Sequence, residues 1–116
     1  MFSLIDIIGR YGNALNCTAS LYIKNSTSLI KKSDFDINDV EDILNDAIDM
    51  LEEGIEQFSS IGSSANIIIL LSNLGMGHRT LAYARKTNLV HKLVKIDQKV
   101  DFDRPGVPLT QFELDR

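Results

Sequence analysis

Four groups of side chains in this 116-residue chain have types and spacings that could do chemistry. Gly75-Met76-Gly77-His78-Arg79 has the outline of a phosphate cradle, in which glycines let backbone N–H groups approach an anion and Arg79 neutralises it. Such a cradle needs a strand, a glycine turn and then a helix start. Here the glycines fall inside a long helical pattern, without a third glycine or a Lys-Ser/Thr pair, so helix packing is their expected role. Nucleotide or phosphate binding through Gly75, Gly77 and Arg79 is the alternative. Asp34, Asp36 and Asn38 hold the first, third and fifth places of a calcium loop, but Asp39 stands where the turn needs glycine and Asn45 where a bidentate glutamate belongs. His78 and His91 lie far apart with no companion cysteine, and Cys17 reads as a small buried hydrophobe. The chain is therefore expected to be no enzyme and to use no metal and no cofactor.

The elements that would position these residues follow from hydrophobic spacing. Leu4, Ile7, Ile8, Tyr11, Leu15, Ala19, Tyr22 and Ile23 recur at three and four, predicting a helix over about 3–25 that fades in Asn25-Ser26-Thr27-Ser28. Asn38, followed three residues later by Glu41, has the form of an N-cap with its reciprocal partner, and opens a second helix over 39–60. Its apolar side runs from Val40 to Phe58, its other side carries Asp42, Asp46, Asp49, Glu53 and Glu56, and Gly62 is a good stop. A third helix over 64–86, capped by Ser63 or Ser64, contains the run Ile67 to Leu71, which is apolar all round and predicts burial between neighbours. A short fourth helix over 88–99 is allowed, with a strand as the alternative. The tail 101–116 holds both prolines and is expected to be poorly ordered, leaving 1–100 as the helical domain. The expected fold class is all-α, built from antiparallel helical hairpins.

Net charge is only −4, yet its distribution is lopsided. Ser33 to His78 holds ten acidic residues and no Lys or Arg, whereas Arg79 to Lys99 holds six Lys or Arg and the single acid Asp97. Complementary solvated helix faces account for this pattern, and the absence of aromatic or Arg clustering argues against direct nucleic-acid binding. Phe2 to Ile8 carries Asp6, lacks a basic start and is too short for a signal peptide or a span, so an intracellular chain without a membrane partner is expected.

Small and apolar residues in these helices resemble tetratricopeptide repeats. Leu15, Thr18-Ala19 and Tyr22 match the first helix of that unit, Ala47, Leu51 and Gly54 the second, and Leu71 with Leu74-Gly75 the first helix of a following one, where His78 replaces the aromatic. Ala19 to Ala47 is 28 residues, which makes this an irregular repeat with an extended connection. Two longer strings, RYGNALNCTASLYIKN from Arg10 and LEEGIEQFSSIGSSANIIILLSNLGMGHR from Leu51, resemble the repeat region of the erythroid differentiation-related factor family. The matching elements are Gly12-Asn13 before Leu21-Tyr22, Gly54-Ile55 before Phe58, Ala65-Asn66, and Asn73-x-Gly75 followed by Arg79. That resemblance implies a segment of a longer nuclear scaffold in transcriptional regulation linked to differentiation, taking protein partners through helical repeats. Helix packing is expected of Gly12, Ala19, Ala47, Gly54, Gly75 and Gly77, and partner contact of the polar residues Asn13, Asn16, Asn66, Asn73 and His78. Self-association is the further alternative, since an end repeat without a polar cap leaves an apolar edge.

Overall fold

The computed structural model describes residues 3–103, which form three helices and no strand: α1 (Leu4–Ile30), α2 (Ile37–Ser60) and α3 (Ser64–Asp103). Ser3 caps α1 with a reciprocal box, its hydroxyl accepting from the Asp6 N–H while the Asp6 carboxylate accepts from the Ser3 N–H. Between α2 and α3 only Ile61–Ser63 intervene, and Gly62 takes φ +67°, the left-handed conformation that only glycine adopts without strain. There the Gly62 and Ser63 N–H groups bond back to the Ser59 and Phe58 carbonyls at 3.2 and 3.0 Å, closing the end of α2.

With connections this short, α2 runs antiparallel to both neighbours. Gly12 of α1 meets Phe58 near the end of α2, and Gly54 of α2 meets Leu70 near the start of α3. Helix α2 is the middle element, packed extensively on both sides, while α1 and α3 touch more lightly. Val40, Leu44, Ala47, Leu51 and Phe58 are at most 1% exposed and form the spine of the core, joined by Ala19, Ile23, Leu70, Leu81 and Ala84. Three residues let the helices approach. A Cβ on Gly12 would lie 2.6 Å from the Phe58 ring, one on Gly54 would lie 2.5 Å from Leu70, and one on Gly77 would come into ordinary contact with Ile48 and Ile23 at 3.4 and 3.5 Å.

Helix boundaries differ from those read off the sequence, each for a physical reason. Helix α1 does not fade at Asn25 but continues through Ile30, because Ile23, Ser26 and Ile30 are buried against the core. The Thr27 and Ser28 hydroxyls donate to the Ile23 and Lys24 carbonyls one turn back, so they support the helix they were expected to interrupt. The cap of α2 is Asp36, not Asn38: the Asp36 carboxylate accepts from the Asn38 N–H at 2.9 Å, which places Asn38 inside the helix. Nor is there a separate fourth helix. Neither glycine nor proline occurs between Arg79 and Pro105, so α3 runs unbroken to Asp103, taking in positions 101–103 of the expected tail; the remainder, 104–116, lies outside the described residues.

The run Ile67 to Leu71 is not buried all round. Leu70 is 1% exposed against α2, but Ile68 is 67%, Ile69 51% and Leu71 50% exposed, because α3 is covered on one side only. Cys17 also points outward, since it lies about 160° around α1 from the buried Ala19.

Candidate functional site

The α1–α3 side of the molecule collects most of the polar residues singled out in the sequence. Asn73 of α3 donates from Nδ2 to Asn16 Oδ1 of α1 at 2.7 Å and to Ser20 Oγ at 3.4 Å, tying the two helices across their line of contact. Asn66 donates to Ser63 Oγ at 2.7 Å, fixing the first turn of α3. Asn13 and Asn66 line an open hollow of about 420 Å³ floored by Phe58 and Ile61. Further along, Ser20, Lys24, Thr27, Lys31, Asn73 and Met76 line a second hollow of about 360 Å³. Both hollows open to solvent along α1, and the α1–α3 groove they mark carries the amides of Asn13 and Asn66 at the first and Asn73 with Lys24 and Lys31 at the second.

His78 does not belong to this groove. It lies about 140° around α3 from Asn73 and is exposed on another flank. Gly75 departs from its expected packing role as well: a Cβ there would meet only the Arg79 guanidinium of its own helix, at 3.3 Å, and no neighbouring helix. Gly12, Ala19, Ala47, Gly54 and Gly77 are buried between helices. Because Gly75 and Gly77 lie inside α3, their N–H groups are taken up by the helix and present no cradle to an anion.

Around the groove the helices are clamped by polar contacts. The Tyr11 hydroxyl donates to Glu53 Oε1 at 2.6 Å, and that hydrogen bond, with some desolvation and the nearby negative charge, raises the hydroxyl's pKa above its ordinary value. On the far side Arg85 Nε meets Glu41 Oε1 at 2.9 Å, joining the start of α2 to α3. Phe35 in the α1–α2 connection packs its ring edge-on to His91, 5.9 Å between centroids.

Sequence reasoning missed the apolar rim. Every exposed large hydrophobic among the described residues lies on α1 or α3, including Leu4, Ile5, Leu21, Ile69, Met76 and Tyr83, and none lies on α2. Leu21 and Ile5 fall outside the three-and-four set of α1, and an apolar residue off the apolar face was the signal available for them. The described residues contain no cluster of three or more His, Cys, Asp or Glu able to hold a metal ion, and no helix long and apolar enough to cross a membrane. Compared with known proteins, the chain matches no family model, no curated protein and no solved structure.

Proposed function

We propose that this chain is a non-enzymatic helical-repeat segment that docks protein partners on its α1–α3 side. The observation that carries the reading is the one-sidedness of the surface: exposed large apolar side chains are confined to α1 and α3, while α2 turns Asp42, Asp46, Asp49, Glu52, Glu53 and Glu56 outward. Exposed apolar side chains such as Ile5 and Met76, which line the two hollows, mark a contact surface, and the groove supplies amides and lysines to orient what binds. The resemblance of the Arg10–Asn25 and Leu51–Arg79 strings supports an irregular tetratricopeptide-like unit acting in the nucleus, in transcriptional regulation linked to differentiation.

Proximity labelling of the tagged chain in cells tests this. Met76→Asp and Lys24→Glu, both at exposed positions, are expected to remove most labelled nuclear partners while far-UV circular dichroism stays unchanged. An identical partner set for wild type and variants at unchanged helicity would rule the groove out.

A further inference from the structure

The second half of α3 extends past the body of the molecule. At 1.5 Å per residue its 40 residues run about 60 Å, against about 36 Å for the 24 of α2. His91 still meets Phe35, but every residue from Lys92 to Lys99 is exposed. A lone helix projecting into water with Leu89, Leu93 and Ile96 each more than half exposed is unsatisfied in isolation.

These residues continue a stripe along the flank of α3 that faces away from α1, since Ala82 lies about half a turn around the helix from Asn73. The stripe is a palindrome about Ala82. Gly75, Leu71 and Ile68 stand seven, eleven and fourteen residues before it, and Leu89, Leu93 and Ile96 stand seven, eleven and fourteen after it. Heptad spacing keeps such positions on one face of a helix. A two-fold axis at Ala82 therefore sets Ile68 against Ile96, Leu71 against Leu93, and Gly75, beside which the flexible Arg79 side chain lies, against the bulk of Leu89, each twice. At the axis the small Ala82 meets its own copy, where two helices must approach most closely. Four residues out, His78 faces Lys86, whose stem can follow the stripe while its ammonium reaches water.

Near the axis the facing side chains are basic, Arg79 opposite Arg85, but at the projecting end charge is complementary. The projecting end carries Lys92, Lys95 and Lys99 against one acid, Asp97. Antiparallel pairing lays this end beside the first half of the partner's α3, the half on which the C-terminal part of α2 packs, as Gly54 on Leu70 shows. That part of α2 exposes Glu52 and Glu56. The acidic and basic arms of the sequence then meet between copies, as they do within one chain at the Arg85–Glu41 ion pair.

We infer that α3 pairs antiparallel with α3 of a second copy of this chain, two-fold about Ala82, through the Ile68–Ile96 stripe. This interface is isologous and closed, and it is distinct from the α1–α3 groove, so either can fail without the other.

Light scattering on the intact chain at high micromolar concentration is expected to give about 26 kDa, twice the 13.0 kDa of one chain. Leu71→Glu with Leu93→Glu, both at exposed positions, should raise the dimer dissociation constant by at least about tenfold with unchanged helicity. In a Cys17→Ser background, Ala82→Cys should form an intermolecular disulfide under mild oxidation, which requires Cα atoms within about 7 Å, and Asp46→Cys on α2 should not. Lys92→Glu with Lys95→Glu should weaken the dimer, and Glu52→Lys with Glu56→Lys in the same chain should restore it. A monomeric wild type, a dimer indifferent to the Leu71 and Leu93 changes, or cross-linking through Asp46→Cys in preference to Ala82→Cys would overturn the inference.

Discussion

At Gly12 the absence of one methyl group decides how closely α1 and α2 approach. A Cβ there would press to 2.6 Å on the Phe58 ring, itself 1% exposed and without room to turn aside. Gly9, one turn earlier, has nothing within 4 Å of the same position. Gly9→Ala should therefore stabilise by up to about 1 kcal/mol through helix propensity, whereas Gly12→Ala should cost about 1–3 kcal/mol of overpacking less that gain. Urea denaturation of the two variants at one chain concentration reads the difference in sign. Ser26 presents the opposite case, a hydroxyl that is fully buried and has no hydrogen-bond partner. Because an unsatisfied buried polar group costs about 1–3 kcal/mol, Ser26→Ala should raise the urea midpoint, and a lowered midpoint would mean the hydroxyl is satisfied in solution.

Among the elements, the hinge between α2 and α3 depends most on one residue. Gly62 holds the left-handed conformation that lets the chain reverse within three residues and lay α3 back along α2. Gly62→Ala should cost about 1–2 kcal/mol, the penalty of a Cβ at positive φ, seen as a fall in thermal midpoint. Removing the Asp36 side chain with Asp36→Ala should cost about 1 kcal/mol at the other end of α2, whereas Asn38→Ala, inside the helix, should cost less. If Asn38→Ala proves the costlier of the two, the cap lies where the sequence pattern first suggests it.

For the whole molecule, the arrangement leaves the Gly75–Arg79 stretch in the interior of a helix, with Gly77 against Ile23 and Ile48. A thermal-shift panel of nucleotides and phosphorylated metabolites should consequently move the midpoint no further than salt controls do. A ligand at 100 times its dissociation constant would add about 2.7 kcal/mol of stability, so a bound phosphate compound would be plain in that measurement.

Much of this organisation is legible along the chain because a helix records its own buried side. The spacing of Val40, Leu44, Ala47, Leu51 and Phe58 marks the buried side of α2, and Gly62 marks its end, since both depend on residues close in sequence. The all-α class follows from the same local physics. What periodicity cannot record is how many neighbours a helix has. Ile67 to Leu71 is apolar on every side, yet only α2 and part of α1 are there to cover it, so Ile68, Ile69 and Leu71 are left at the surface. Asn25 to Ser28 reads locally as a break, yet burial of Ile30 and Ser26 against the core carries α1 through it. Local spacing determined which residues could be helical and which side each helix hides; which flank of α3 stays open, and where α1 ends, was decided only when helices far apart in sequence came to share one core.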